Sequence, residues 1–531
     1  MLDNIKNKYL LGFIFENIRK RLKLKLLKYS KNLMNKLNIN IDDFKQFKLL
    51  KEINQELNLN IEDIELVSLD LKYKNLNDDK LKTLDKIEFI NLKKLYLNNN
   101  KITSFKTFDK YSLEILDLGN NKISDISILK NDIFKELKEL YLNNNKITEL
   151  NDLINVKFDK LEILDLSENS FTNFQNWANL NYKELKKFYF SKNNFININE
   201  LQNAKFENLE LLDLRNNEII DISPLEKFIF KELKELLLDY NEISDIDILE
   251  KVEFKKLEIL SLSHNKINDI KILEKANFKE LKELILKENI INDIEILNNV
   301  KFEKLEKLDL SYNKISKIYV LENTYFQDLK TLNLYGNNKI SDIKVLENVK
   351  FEKLENLNLG FNQINDINIL QKVNFKELKQ LNLFRNHKIS NIKILEKVNF
   401  DKLEKLDLGF IKISNINILA NVNFKHLKEL YLYSNDITDI KVLEKVNFVK
   451  LEILDLSYNQ LTNIDVFEKV NFKQLKELYL RNNEISDIKV FKKAKFDKLE
   501  ILDLSNNDID EVDNSEITLY LKSKIKNLYV F

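Results

Sequence analysis

The chain has 531 residues, with 85 Lys and Arg against 85 Asp and Glu, so its formal net charge is zero. A nucleic-acid-binding protein that relies on phosphate neutralisation would show a basic excess, so this balance argues against nucleic acid as the partner. The sequence contains no cysteine, which excludes disulfides, cysteine metal sites and a thiolate nucleophile, and its hydrophobic content of 44% suffices for a packed core.

The first 63 residues lie outside the regular pattern that fills the rest of the chain. Apolar residues three and four apart predict two or more short helices before residue 40, and the segment IDDFKQFKLLKEINQEL at residues 41–57 predicts another. This region shows no signal-peptide cleavage site, and nowhere does an apolar run reach the roughly 18 residues of a membrane span. We expect residues 1–63 to form a helical cap or a small docking module, and the protein to be cytoplasmic.

From residue 64 to about residue 510 the chain repeats one frame, L-x-x-L-x-L-x-x-N. An earlier degenerate copy contains Leu66, Leu69 and Leu71, with Lys74 in the place of the Asn. The clear copies begin at Leu92, Leu113, Leu137, Leu161, Leu185, Leu209, Leu233, Leu257, Leu281, Leu305, Leu329, Leu354, Leu378, Leu403, Leu427, Leu451, Leu475 and Leu499. Most copies are 24 residues long, and a repeat of this length indicates a stack of equivalent coils that bury their apolar residues between neighbours.

One copy, residues 427–450, shows how a coil is expected to fold. Leu430 and Leu432 are two residues apart, so both point to one face of a strand while Tyr431 points to the other. Asn435 follows where the chain must bend, and its side chain can bond the backbone groups that the bend leaves unpaired. The return arm repeats apolar residues every three positions, which predicts 3₁₀ or α turns: Ile437, Ile440, Leu443 and Val446. A recurrent aromatic residue, here Phe448, closes the coil.

On these motifs the chain resembles the leucine-rich repeat proteins, and within them the short class seen in phosphatase-regulating subunits and bacterial internalins. The resemblance implies an α/β fold: a curved solenoid with parallel strands on its concave face and short 3₁₀ or α turns on its convex face. It covers residues 64–510, or about 18 to 19 repeats of 24 residues. The last segment, residues 511–531, leaves the frame, and we expect it to cover the final coil as a short helix or strand.

The solvent-facing position at the centre of each predicted strand alternates between acidic and mostly aromatic residues, which makes the true sequence period 48. Two interpretations stay open, namely duplication of a two-coil unit and an alternating stripe selected for a partner. The acidic set is Asp117, Asp165, Asp213, Asp309, Asp407, Asp455 and Asp503; the other set is Tyr96, Tyr141, Tyr189, Leu237, Ile285, Tyr431 and Tyr479.

Large aromatic residues gather near the strand ends of repeats 10 to 16, together with an arginine, which is the composition of binding hot spots. The same region holds two one-residue insertions, in YGNNKIS and FRNHKIS, and the single lapse of the Asn frame, at Ile411. Tolerated surface variation is the alternative explanation. The predicted protein-binding residues are Tyr312, Tyr335, Phe361, Phe384, Arg385, Phe410, Tyr431, Tyr433 and Tyr458.

No catalytic or metal-binding motif accompanies the repeats. The histidines His264, His387 and His426 are scattered singly, and the sequence contains no phosphate-binding glycine run and no nucleophile motif. We therefore expect a non-enzymatic scaffold without catalytic residues, cofactor, metal or small-molecule substrate, whose partner is a protein bound on the concave face.

Two other functions stay open. The N-terminal helical segment resembles an F-box in the spacing of its apolar residues, which would imply a substrate-recognition adaptor of a ubiquitin ligase. An internalin-like surface adhesin is the other alternative. The apolar residues that carry the F-box resemblance are Leu10, Ile14, Ile18, Leu22 and Leu26.

Overall fold

The computed structural model describes residues 41–154, 156–171, 180, 182–201, 204, 206–510 and 512–530. The predicted helices before residue 40, and with them the F-box-like segment, lie outside the described residues. The chain divides into two compact units, the first within Met1–Glu218 and Lys227–Glu232 and the second within Ile219–Glu226 and Leu233–Phe531. In each unit a coil contributes one three-residue strand, and consecutive strands pair in parallel.

The first unit contains seven described strands and three described helices. Its strands are β1 (Ser68–Asp70), β2 (Lys94–Tyr96), β3 (Ile115–Asp117), β4 (Glu139–Tyr141), β5 (Ile163–Asp165), β6 (Lys187–Tyr189) and β7 (Leu211–Asp213). Its helices are α1 (Ile41–Leu57), α2 (Asp78–Leu84) and α3 (Asn151–Ile154), and 3₁₀ turns span Ser127–Lys130, Asp132–Glu136 and Ile198–Leu201. The helix predicted at residues 41–57 is thus confirmed, and the degenerate early copy of the frame forms strand β1.

The second unit contains thirteen described strands, and a 3₁₀ turn follows each of the first eleven. Its strands are β8 (Glu235–Leu237), β9 (Ile259–Ser261), β10 (Glu283–Ile285), β11 (Lys307–Asp309), β12 (Thr331–Asn333), β13 (Asn356–Asn358), β14 (Gln380–Asn382), β15 (Lys405–Asp407), β16 (Glu429–Tyr431), β17 (Ile453–Asp455), β18 (Glu477–Tyr479), β19 (Ile501–Asp503) and β20 (Asn527–Tyr529). The 3₁₀ turns after β8 to β18 span Asp247–Glu250, Lys271–Glu274, Glu295–Asn298, Tyr319–Asn323, Lys344–Glu347, Asn368–Gln371, Lys393–Glu396, Asn417–Ala420, Lys441–Glu444, Asp465–Glu468 and Lys489–Lys492, and helix α4 spans Ser515–Lys524. The C-terminal segment therefore forms both a helix and a strand, and β20 pairs with β19.

The core of each unit is a set of apolar columns that run through the coils. In the second unit Leu284, Leu308 and Leu332 stand opposite one another in adjacent strands, and all three are fully buried. The phenylalanines that close the coils, such as Phe302, are buried as predicted. The return arm differs in one detail, because Val446 is only half-buried.

Asparagine side chains tie neighbouring coils together at the bend. Asn313 Nδ2 donates to the carbonyl of Leu310 in its own coil and to the carbonyl of Leu286 in the preceding coil, at 3.1 and 2.9 Å. Its Oδ1 accepts the backbone N–H of Ile291, again in the preceding coil, at 3.0 Å. The predicted Asn ladder is therefore confirmed, and each rung satisfies backbone groups that the bend would otherwise leave without partners.

The two 25-residue coils interrupt this ladder. In the first, the extra residue Asn338 has a left-handed backbone with φ of 58°, and the buried Oδ1 of Asn362 in the next coil has no hydrogen-bond partner. In the second, the extra residue His387 lets the Ile389 N–H bond the Asn386 carbonyl at 3.0 Å. That N–H no longer needs an acceptor from the next coil, where Ile411 replaces the asparagine. The second insertion and the lapse of the frame are thus one structural adjustment.

Opposite charges face each other on neighbouring coils, on both sides of the leucine that opens the frame. Lys282 pairs with Glu258 of the preceding coil at 2.6 Å, and Lys304 pairs with Glu280 of the preceding coil. The same arrangement recurs in the pairs Lys330–Glu306, Lys379–Glu355, Lys428–Glu404 and Lys476–Glu452. The 48-residue period therefore places unlike charges side by side, where like charges on adjacent strands would repel.

Each unit thus combines short parallel strands with 3₁₀ turns, as the predicted fold requires. No helix within the described residues is long and apolar enough to cross a membrane. The predicted division into residues 1–63, 64–510 and 511–531 stays a prediction.

Candidate protein-binding site

Six aromatic side chains form a continuous row in the second unit, where the strands end and the chain bends. The row consists of Tyr312, Tyr335, Phe361, Phe384, Phe410 and Tyr433. Neighbouring ring centroids lie 5.2 to 6.4 Å apart, the separation of interacting aromatic pairs. Two of these side chains are exposed and four are half-buried. The aromatic row therefore exposes apolar area at the surface while its own rings hold one another in place.

The rings of the aromatic row alternate between two positions of the repeat frame. Tyr335, Phe384 and Tyr433 directly follow the second strand leucine. The other three occupy the next position, where the backbone is left-handed; Tyr312 and Phe361, for example, both have φ of 52°. A bulky residue adopts this conformation at a cost of about 1–2 kcal/mol, which packing between the rings must offset.

Glycines on neighbouring coils make room for these rings. A Cβ atom on Gly360 would lie 2.8 Å from the ring of Tyr335, and one on Gly409 would lie 2.7 Å from the ring of Tyr433. A third glycine, Gly336, faces the aromatic row in the same way and has a φ of 73°. The aromatic and glycine positions are thus matched, which explains why three of the five glycines in the chain occur here.

Arg385 lies between two rings of the aromatic row. Its guanidinium carbon is 4.3 Å from the ring centroid of Phe361 and 5.6 Å from that of Phe410. The imidazole of His387 packs against Phe410 at 4.8 Å, and its buried Nδ1 has no hydrogen-bond partner. Burial, together with the positive charges of Arg385 and Lys412, lowers the pKa of His387. This part of the row is therefore locally cationic, with a neutral histidine beside it.

The remaining predicted site residues differ in their positions. Tyr431 lies in β16 with its ring 6.3 Å from that of Tyr433, and its hydroxyl donates to Glu429. Tyr458 is exposed and lies 6.0 Å from the Arg481 guanidinium; no ring contact joins it to the aromatic row in the described part of the chain. The structure thus brings eight of the nine predicted residues together and leaves Tyr458 apart.

The carboxylates on the strands accept backbone hydrogen bonds where each strand ends. Asp309 Oδ1 accepts the backbone N–H of Ser311, and Asp407 Oδ1 accepts that of Gly409, both at 2.9 Å. Burial raises the pKa of Asp407 to about 6, although the Gly409 hydrogen bond acts in the opposite direction. The acidic set therefore fixes the bend at the strand end. This structural role accounts for the recurring Asp residues without any selection by a protein partner.

A stacked pair of rings outside the aromatic row was not predicted from the sequence. The ring of Tyr240 stacks on the imidazole of His264 with centroids 3.8 Å apart, and His264 Nδ1 lies 3.1 Å from a carboxylate oxygen of Glu288. All three residues occupy the left-handed position of the frame, as Tyr312 does two coils after His264. Aligning that one position along the repeats would have revealed them.

Strands β12, β13 and β14 carry only uncharged polar residues on their solvent-facing side. We call these residues the amide patch: Thr331, Asn333, Asn356, Asn358, Gln380 and Asn382. The patch lies on the three strands whose coils carry Tyr335, Phe361 and Phe384. The strands on either side carry charges at the same positions, in Lys307–Asp309 and Lys405–Asp407. The sequence signal is the run TLN, NLN, QLN, which breaks the 48-residue alternation.

Comparison with family models identifies the repeat. The model described as leucine-rich repeats in two copies matches residues 90–131, 111–155, 303–348, 425–469 and 473–516, and a model of the leucine-rich repeat matches residues 255–270. No curated protein matches the sequence.

Solved structures share the fold at low sequence identity. A leucine-rich repeat protein of Leptospira interrogans is 23% identical with a TM-score of 0.56, over 91% of this chain and 98% of that one. The ectodomain of the receptor kinase GASSHO1/SCHENGEN3 from Arabidopsis thaliana is also 23% identical, with a TM-score of 0.51, over 83% of this chain and 56% of that one. An internalin of Listeria monocytogenes is 27% identical with a TM-score of 0.49, over 65% of this chain and 91% of that one.

Proposed function

Because the chain is built of leucine-rich repeats, we propose that it is a non-enzymatic scaffold that binds a protein partner through the aromatic row. Protein interfaces are enriched in Tyr, Phe and Arg at their centres, and rigid aromatic side chains lose little conformational entropy on binding. The observation that carries the proposal is the continuous row of interacting rings, since it combines exposed apolar area with a fixed geometry.

The fold supports a binding function without selecting the partner. Matches to 461 chains of solved structures show that this architecture serves many proteins, so only the surface residues of this chain can indicate its partner. The matched plant ectodomain was solved in complex with CASPARIAN STRIP INTEGRITY FACTOR 2. That complex agrees with a partner-binding role for this chain, while the choice of surface depends on the aromatic row.

Affinity purification with matched variants tests the proposal. The full chain is compared with the row variant Phe361→Ala/Phe384→Ala and with the control variant Tyr319→Ala/Tyr325→Ala, which removes two exposed tyrosines at a 3₁₀ turn. We expect the same protein to be retained by the wild type and the control and to be lost from the row variant. Equal retention by all three, with melting temperatures showing that each is folded, would reject the aromatic row as the binding site.

The adaptor and adhesin interpretations stay predictions from the sequence. Removing residues 1–60 tests the first one, since ubiquitin-ligase subunits should then disappear from the purified complex. Retention of those subunits by the truncated chain would contradict an F-box-like role for the N-terminal segment.

A further inference from the structure

Arg385 is an exposed cation that lies between two aromatic rings. Phe361 and Phe410, on the coils before and after it, share its left-handed backbone conformation, so the three side chains lie in one line across three coils. The guanidinium is 4.3 and 5.6 Å from the two ring centroids, within the range of cation–π attraction. These contacts restrain the side chain, and its N–H donors form no hydrogen bond with any described residue.

No carboxylate of the described chain neutralises Arg385. By contrast, Arg215 binds Asp213 through two parallel hydrogen bonds of 2.8 and 2.7 Å. Arg385 forms no ion pair with any described residue, and the charges that influence the neighbouring His387 are the two cations Arg385 and Lys412. An arginine fork that is oriented in advance and lacks a counterion favours a carboxylate supplied by another molecule.

Three amides of the amide patch, those of Asn358, Gln380 and Asn382, have unused hydrogen-bonding capacity, whereas Asn333 and Asn356 already donate to Asp309 and Thr331. The Oδ1 atoms of Asn358 and Asn382 accept the backbone N–H groups of Gly360 and Phe384, while their Nδ2 groups donate to no described residue. Gln380 is exposed, and its side-chain amide has no described partner. Side-chain amides present both a donor and an acceptor, as peptide groups do, so this surface matches the backbone of an extended peptide better than it matches charged side chains.

We infer that an extended peptide segment of the protein partner lies across β12 to β14, with its backbone on the amide patch and an Asp or Glu side chain paired to the Arg385 guanidinium. This inference rests on the proposed function and specifies the chemistry of the partner. A carboxylate fits because the local charge is positive. An extended segment fits because uncharged amides span three adjacent strands.

Selection from a random peptide library displayed on phage tests this inference. The library is selected against the full chain, against Arg385→Met, and against Arg481→Met as a matched control, because Arg481 also lies over a tyrosine ring but outside the aromatic row. We expect an acidic residue at a fixed distance from apolar residues in the sequences enriched by the wild type and by the control. The acidic preference should vanish for Arg385→Met.

A double-mutant cycle with one enriched peptide completes the test. Replacing its Asp by Asn, or its Glu by Gln, should weaken binding to the wild type by about 10- to 100-fold, as expected for a charge-assisted hydrogen bond. The same replacement should have no effect on binding to Arg385→Met. Equal losses on both proteins would overturn the pairing with Arg385.

The outcomes separate this inference from the proposed function. Enriched peptides that lack an acidic preference, yet no longer bind the variant Phe361→Ala/Phe384→Ala, would reject the carboxylate while keeping the aromatic row as a binding surface. If the full chain enriches no sequence at all, the extended-peptide inference is rejected, while affinity purification with the variant Phe361→Ala/Phe384→Ala still decides the proposed function. Retained melting temperatures of the variants show that loss of binding is not loss of folding.

Discussion

Leu308 stands in the buried leucine column between Leu284 and Leu332, and its side chain is fully buried. We expect Leu308→Ala to lower the free energy of unfolding by about 2–5 kcal/mol, since the stacked coils cannot collapse around the cavity. Chemical denaturation measures this loss. A change of less than about half a kcal/mol would be far below the range for a core cavity and would show that the column is not the core.

Substitution of Gly409 tests whether the glycines are needed to make room for the rings. Because a Cβ atom there would lie 2.7 Å from the ring of Tyr433, Gly409→Ala should displace that ring and cost about 1–3 kcal/mol of stability. In a Tyr433→Ser background the same substitution should cost much less, since the obstacle is gone. Near-ultraviolet circular dichroism and denaturation report the two effects. An identical cost in both backgrounds would show that the ring does not require the glycine.

The buried carboxyl of Asp407 should make the free energy of unfolding depend on pH. Burial raises its pKa to about 6 in the folded chain, whereas the pKa of an exposed Asp side chain is about 3.8. The folded state binds this proton more tightly than the unfolded state does. The protonated carboxyl therefore stabilises the fold below about pH 4, and this stabilisation is lost as the pH rises through about 6. The variant Asp407→Asn keeps the acceptor for the Gly409 N–H, as Asn358 does for Gly360.

We therefore expect Asp407→Asn to be more stable than the wild type by about 1–2 kcal/mol at pH 8 and nearly equal to it at pH 4. Urea denaturation at both pH values measures the difference. A difference that does not change with pH would mean that the carboxyl is not desolvated.

Individual residues were predictable where the repeat dictates them. The leucine columns, the Asn rungs and the closing phenylalanines follow from positions that every coil shares. The guanidinium of Arg385 between two rings could not be derived in this way, because it depends on side-chain directions at a left-handed position. Likewise, the stack of Tyr240 on His264 becomes visible only when that single position is compared between coils.

At the scale of the element, the two insertions should respond differently to deletion. Removing Asn338 restores a 24-residue coil, in which the Ile340 N–H can reach the unpaired Oδ1 of Asn362. Deleting His387 instead breaks the bond from Ile389 to Asn386, and Ile411 offers no acceptor in return.

We expect the Asn338 deletion to raise the free energy of unfolding by about 1 kcal/mol and the His387 deletion to lower it by about 1–3 kcal/mol. Denaturation of the two variants side by side measures this. Losses of equal size would contradict the explanation of the interrupted ladder. The link between the His387 insertion and Ile411 was not predictable from the sequence. The two residues lie in neighbouring coils and are connected only through the hydrogen bond that an asparagine at position 411 would otherwise form.

At the scale of the whole molecule, the repeat determines far more of the fold than of the function. One repeated coil accounts for strands β1 to β19 because neighbouring coils share the same contacts, and only β20 lies outside the repeat frame. The proposed binding site depends instead on departures from the repeat, namely the aromatic row, the amide patch and Arg385. Those departures are visible as letters, but the contacts among their side chains need the structure.

Photo-cross-linking shows where the partner lies, which we propose is the aromatic row at the ends of the strands. The photoreactive residue p-benzoylphenylalanine replaces Phe384 in one protein and Tyr325, near a 3₁₀ turn, in the control. We predict that the partner retained by affinity purification forms an adduct from position 384 and none from position 325. An adduct from position 325 alone would contradict the account.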